Sequence, residues 1–224
     1  MNLFKNFTAS IHRFSDSPLL LEQKHYKDTR YSTRNPISAL LVRNFNHALQ
    51  GMICETKARR VLEVGCGEGF VMDLARRSLT PTLVVGGDYS REWLTRAATL
   101  QKDANLLTFD ARRIPFRDSS FDLVLAIEVL EHVERPDVAL AEIVRVTSEW
   151  AIISVPNGLI WRLTNLARGR YLGNLGNTPG HINEWSVRAF RQFAGKYFHI
   201  TRHQTPIPWQ IALLKKIGNS LCTL

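Results

Sequence analysis

Three glycines at alternating positions, Gly65, Gly67 and Gly69, follow the apolar run Val61-Leu62-Glu63-Val64 and precede Phe70-Val71-Met72-Asp73-Leu74. A glycine-rich turn between a strand and a helix lets the backbone approach a ligand closely, while the first amides of the helix face it. A dinucleotide fingerprint would place its third glycine at position 70, which is Phe70 here. The spacing is instead G-x-G-x-G, with Cys66 and Glu68 between the glycines and Glu63 two residues ahead of the first. Asp88, Asp110 and Glu128 close three later apolar runs, at the strand ends where open parallel sheets bind ligands. A carboxylate at Asp88 can accept hydrogen bonds from both hydroxyls of a ribose, and one at Asp110 from an adenine amino group. Any one of these acids alone reads as a helix cap or a solvated residue. Their joint occurrence points to a nucleoside-containing cofactor.

Short β-branched runs alternating with helical stretches from Arg60 onward predict an α/β fold, a mostly parallel sheet with helices on both faces. The strands are expected near 60–65, 82–87, 105–109, 121–127 and 150–155, the helices near 69–78, 90–102 and 136–146. The run Phe121-Asp122-Leu123-Val124-Leu125-Ala126-Ile127 is almost continuously apolar, as a strand covered on both faces requires. A helix near 186–195 and a strand near 197–203 follow, and Pro206 to Leu214 reads equally as an antiparallel strand or a helix. Ahead of the sheet, Asn35-Pro36 opens a helix in which Ile37, Leu40, Leu41, Phe45, Ala48, Leu49, Met52 and Ile53 recur at three- and four-residue steps. Residues 1–35 are polar and aperiodic. The expected division is therefore an N-terminal extension with its amphipathic helix, 1–56, and a sheet domain, 57–224.

Charge is unevenly spread. Residues 1–60 hold ten Lys and Arg against four Asp and Glu, residues 61–150 ten against fifteen, and residues 151–224 nine against one. An acidic middle between basic flanks suits a core that binds a cationic cofactor better than a uniformly basic nucleic-acid binder. Cys54, Cys66 and Cys222 are odd in number and widely spaced, which fits neither a disulfide framework nor a zinc site; no metal site is read from the sequence. No stretch reaches the roughly 18 apolar residues of a membrane span, and Met1 to Phe14 lacks the run of a secretory signal. A cytoplasmic protein is expected.

The segments Glu63-x-Gly65-x-Gly67-x-Gly69, Gly87-Asp88-Tyr89-Ser90, Phe109-Asp110-Ala111 and Asp118-Ser119-Ser120-Phe121-Asp122, running into Glu128-Val129-Leu130-Glu131-His132-Val133, resemble the class I S-adenosylmethionine-dependent methyltransferases of the small-molecule branch, including quinone-biosynthesis methylases. The resemblance covers residues 60 to about 156. It implies a Rossmann-like sheet of seven strands, the last antiparallel, with S-adenosylmethionine lying across the strand ends. Glu63 and the loop of Gly65, Cys66, Gly67 and Gly69 would then hold the methionine portion and ribose side, Asp88 the ribose, and Asp110 with Ala111 the adenine. Tyr89 and Glu128 complete the expected cofactor set.

Methyl transfer from a sulfonium is an in-line displacement on an already activated electrophile, so the protein mainly supplies alignment and a dry site. A hydroxyl acceptor would also need a base, and His132 and His181 are the candidates, since imidazole titrates near neutrality. Residues 156–185 form an insertion that the cofactor sheet does not need, carrying Trp161, Arg162, Arg168, Arg170 and Tyr171. Leu159, Ile160, Leu163 and Leu166 fall on one helical face within it, which suits a lid over an apolar acceptor bearing an anionic group, or contact with an anionic membrane surface. Trp161 and Arg162, with Tyr31 and Arg34 from the N-terminal side, are the expected substrate contacts. Two readings compete: a nucleic-acid (RNA) methyltransferase, motivated by the basic flanks, and a non-catalytic binder of S-adenosylmethionine. Against the first, no Asn-Pro-Pro-aromatic tetrapeptide and no Pro-Cys after a strand occur.

Overall fold

The computed structural model describes residues 35–217 apart from Lys102, Arg168 and Arg170. Tyr31 and Arg34 lie outside the described residues. The chain divides into two compact units, Met1–Val42 and Arg43–Leu224. The described part of the first is the opening of helix α1 (Pro36–Thr56), where Asn35 Oδ1 accepts hydrogen bonds from the amides of Ile37 and Ser38 at 3.0 and 3.2 Å. Such a cap followed by proline at the first helical position is the expected start signal.

In the second unit the elements follow in the order β1 (Arg60–Val64), α2 (Phe70–Ser78), β2 (Leu83–Asp88), α3 (Arg91–Leu100), β3 (Asn105–Thr108), β4 (Phe121–Ile127), α4 (Pro136–Val146), β5 (Thr147–Pro156), α5 (Gly158–Ala167), α6 (Val187–Ala194), β6 (Phe198–Gln204) and β7 (Trp209–Lys216). They build a seven-stranded sheet in the order β3-β2-β1-β4-β5-β7-β6. The pairs from β3 to β5 are parallel, and β7 runs antiparallel to both β5 and β6. The strand order reverses beside β1, so the ends of β1, β2 and β4 open one crevice.

Two stretches depart from the sequence-based limits. Strand β5 starts at Thr147, immediately after α4, rather than at position 150, because its first residues pair with β4 although Ser148 and Glu149 are polar and exposed. The ambiguous run before Leu214 is a strand: β7 inserts between β5 and β6, paired from Trp150↔Lys215 to Pro156↔Trp209. An interior strand buried on both faces has no alternation to display, so periodicity alone could not decide it. The second half of α1 packs on the sheet through Phe45, whose ring centroid lies 5.2 Å from that of Trp209.

The segment between β3 and β4 has almost no regular structure, and Arg145 of α4 fixes it. Its guanidinium donates to the carbonyls of Ile114 (2.8 Å) and Phe116 (2.7 Å), to Glu142 (2.7 and 2.8 Å) and to Asp118 (2.9 Å). Glu142 also accepts from the amide of Ile114 at 2.8 Å. The hydrogen bonds from Arg145 hold the Glu142 carboxyl below the ordinary glutamate range. Asp118 is mostly exposed and adds little. Replacing Arg145 with Met should lower stability by about 2 kcal/mol, the cost of leaving two carbonyls and a carboxylate without their donor, read from urea unfolding midpoints at pH 7. Because the folded state depresses the Glu142 pKa, its contribution is present above the unfolded value and is lost as pH falls through the folded one. The difference between the two proteins should therefore shrink on acidification.

Candidate functional site

The glycine loop forms where β1 gives way to α2, and all three glycines adopt left-handed φ values of 71°, 52° and 82°. The amides of Gly65 and Cys66 both donate to the carbonyl of Gly87, at 2.7 and 3.0 Å, which ties the loop to the end of β2. A side chain at Gly65 would lie 2.4 Å from Val129, so this glycine lets the turn after β4 press against the loop. Gly67 differs. A Cβ there would meet nothing within 4 Å, so the loop is bare of side chain at its centre and opens to a ligand.

Asp88 sits across this opening. Its Oδ2 accepts from the Gly67 amide at 2.9 Å and its Oδ1 from the Ser90 amide at 2.8 Å. Each oxygen keeps acceptor capacity for a further donor. Glu63 is 2% exposed within β1, and Glu68 is nearly as buried, with Arg96 Nη1 3.5 Å from its carboxylate. Burial pushes the Cys66 thiol pKa up, and the negative charges of Glu63 and Asp88 push it further. Cys66 is thus a protonated, small buried group and no nucleophile. A loop bare of side chain at Gly67 and lined by the carboxylates of Glu63, Glu68 and Asp88 fits a ligand carrying positive charge and a ribose.

The remaining cofactor candidates sit at the neighbouring strand ends. Asp110 follows β3, but its carboxylate is gripped by Arg112, with hydrogen bonds of 2.7 to 3.1 Å. The Arg112 side chain, helped by its own backbone amide, holds the Asp110 pKa below its usual value against the opposing effect of burial. An adenine amino group would share this carboxylate with Arg112. Ala111 packs against the core. Tyr89 is 79% exposed beside Asp88. Glu128 takes a left-handed φ of 57° as β4 ends, and Ser154 Oγ donates to its Oε1 at 3.0 Å.

Sequence reasoning missed the residues that hold this loop from behind. Gln101 Nε2 donates to the carbonyl of Gly69, and Arg76 donates to Gln101 Oε1 at 3.2 Å. Gln101 lies just past the end of α3, and no motif links it to a glycine loop 32 residues earlier.

His132 and His181, far apart in sequence, come together. The amides of Ile182 and Asn183 donate to the carbonyl of Glu131 at 2.9 and 3.1 Å, and Asn183 Nδ2 donates to the carbonyls of Leu130 and Val133. This places the two imidazole centroids 4.9 Å apart. Trp161 stacks on His181 at 5.4 Å, and its Nε1 donates to Thr178 Oγ1 at 2.9 Å. His132 Nδ1 lies 2.9 Å from the carbonyl oxygen of Gly180. A carbonyl only accepts, so in the neutral ring Nδ1 carries the hydrogen and Nε2 is left to accept a proton. Arg162 is engaged by Glu184 at 2.8 Å, so its charge is already partly matched. One grouping was not anticipated: ligand atoms of the buried Glu131, of His132 and of His181 lie within 4.8 Å of one another and could hold a metal ion.

The sheet order, the antiparallel β7 and the open glycine loop facing an aspartate at the end of β2 define the class I methyltransferase fold. Over residues 62–154 the chain matches the family described as "Methyltransferase domain". It is similar to a fatty-acid O-methyltransferase of Mycolicibacterium smegmatis, 34% identical over 94 residues, covering 41% of this chain and 34% of that protein. It is similar also to a phosphatidylethanolamine N-methyltransferase of Cereibacter sphaeroides, 33% identical over 104 residues, covering 44% of this chain and 50% of that protein. The chain thus spans only a third to a half of these relatives' lengths. The structure of magnesium protoporphyrin IX methyltransferase from Synechocystis, with bound S-adenosylhomocysteine, shares the fold with a TM-score of 0.62 at 18% identity, covering 94% of this chain and 100% of that one.

Cys54 is exposed and Cys66 buried, and burial keeps the latter's thiol protonated. Of these two, a thiol-alkylating reagent at pH 8 should label Cys54 in the native protein and reach Cys66 only on unfolding, as read by peptide mass spectrometry. Native labelling of Cys66 at a comparable rate would contradict the site geometry.

Proposed function

We propose that this chain is an S-adenosylmethionine-dependent methyltransferase that transfers a methyl group to a small apolar acceptor bearing an anionic or hydroxyl group. The observation that carries this reading is the left-handed, side-chain-free Gly67, whose amide is held by Asp88 at 2.9 Å. When bound, the cofactor supplies an activated methyl group on a sulfonium. Glu63, Gly65, Cys66, Gly67 and Gly69 would hold its methionine portion, Asp88 and Tyr89 its ribose, Asp110 and Ala111 its adenine, and Glu128 would border the same crevice. The buried carboxylates of Glu63 and Glu68 favour a positively charged ligand there.

The acceptor would lie on the side of His132, Trp161 and His181. Their rings offer an apolar, flat wall, and His132 Nε2 offers a lone pair for the proton of a hydroxyl acceptor. A carboxylate acceptor is ionised at neutral pH and needs no base; the imidazoles would then only orient it. Two relatives named for lipid acceptors, one a fatty acid and one phosphatidylethanolamine, support an apolar acceptor. The excess of Lys and Arg over acids in residues 151–224 supports an anionic one.

Titration calorimetry with S-adenosylhomocysteine tests the cofactor half. Asp88→Ala should weaken binding by about 100-fold, the loss of charge-assisted hydrogen bonds to ribose. Gly67→Val should abolish binding; its side chain enters open space, but a β-branched residue at φ 52° strains the loop, so the melting temperature should fall while unfolding stays cooperative. Unchanged affinity in either variant would remove the assignment. Transfer of labelled methyl from S-adenosylmethionine to long-chain fatty acids, compared with RNA, tests the acceptor half; labelling of RNA alone would overturn it.

A further inference from the structure

Helix α5 is amphipathic in the reverse of the usual sense. Its inward face is polar: Trp161 donates to Thr178, Asn165 is buried and donates to the carbonyl of Gly176 at 2.9 Å, and Arg162 pairs with Glu184. Its apolar residues point away from the sheet. Leu159 is 70% exposed and Leu163 56%, one helical turn apart on the same face, with Ile160 and Leu166 half-buried beside them. Helices that cover a core turn their apolar stripe to it. The chain after α5, which folds back on it through Gly176 and Thr178, adds Leu172 and Leu175, exposed to 63% and 70%. Leu175 does so in the left-handed region, at φ 48°, where a branched side chain is unfavourable.

The sequence of this stretch is basic, and of its arginines Arg162 pairs with Glu184 on the inward face. Residues 157–182 contain Arg162, Arg168 and Arg170 and no aspartate or glutamate. We propose that the exposed apolar face of α5 and the following Leu172–Leu175 turn is a docking surface for an anionic lipid bilayer. Leu159 and Leu163 would enter the headgroup boundary while the arginine-bearing segment meets the acidic lipids. Apolar insertion plus basic charge is the pair of signals that reversible membrane attachment requires. A second copy of this chain is disfavoured as the occupant, because a symmetric contact would oppose two basic segments within chains of net charge +9. The inward face of the same helix places Trp161 against His181, so docking would bring the acceptor side of the site to the bilayer. Only that last consequence rests on the proposed methyl transfer; the surface itself does not.

The full chain, without cofactor, is floated with vesicles of phosphatidylcholine and with vesicles of phosphatidylcholine containing phosphatidylglycerol. Binding to the phosphatidylglycerol vesicles and release by raised salt are expected. The double variant Leu159→Ser, Leu163→Ser should bind at least about tenfold more weakly, with an unchanged melting temperature. Failure of the wild type to float, equal binding to both vesicle types, or equal binding by the double variant each overturns the proposal. So does a wild-type dimer in sedimentation equilibrium that the double variant dissolves, which would assign the face to a second copy. Calorimetry with S-adenosylhomocysteine on the same samples separates the two claims: vesicle binding without cofactor binding would sink the enzymatic reading and leave the surface standing.

Discussion

The Asp88 carboxylate joins the ends of two crossovers. One oxygen takes the Gly67 amide and the other the Ser90 amide, so the glycine loop after β1 and the start of α3 are fixed to one side chain. The loop is further bound to β2 by the Gly87 carbonyl, and that close approach requires β2 to carry little bulk. A Cβ on Gly87 would overlap the Phe109 ring, and one on Gly86 would overlap Met72. The two glycines of β2 are therefore as necessary to the crevice as those of the loop, for reasons of space rather than of backbone angle.

Much of this was legible because each signal was local. Strand runs, cap residues and the spacing of Gly65, Gly67 and Gly69 depend on neighbours in sequence, and the carboxylates at strand ends follow from strand positions. What stayed illegible depended on partners distant in sequence. Strand β7 could be assigned only once β5 and β6 bracketed it. Gln101 carries no sequence mark of its contact with Gly69. The Arg112 grip on Asp110 could have been suspected from their spacing of two residues, but its strength comes from a fork geometry that sequence does not show. The polarity of α5 inverts an assumption that usually works: Leu159 and Leu163 share a face as expected, yet that face is turned outward.

The proposed acceptor side rests on a second physical device, the zipping of residues 180–183 onto the turn after β4. Backbone amides of Ile182 and Asn183 on the Glu131 carbonyl, and the Asn183 side chain on two more carbonyls, satisfy groups that a short helical turn would leave open. The same contacts bring His181 to His132 and lay Trp161 over it. The proposed cofactor crevice and acceptor wall are thus linked through the five residues from Glu128 to His132, with Val129 beside Gly65 of the glycine loop and His132 facing Gly180. No helix among the described residues is long and apolar enough to cross a membrane.

The central claim is that the loop held by Asp88 receives the cofactor. Amide hydrogen exchange with and without S-adenosylhomocysteine reads this directly. The account predicts slowed exchange in peptides spanning Gly65–Gly69 and Asp88–Ser90, with a smaller effect around Asp110. No ligand-dependent protection, or protection confined to β6 and β7, would contradict it.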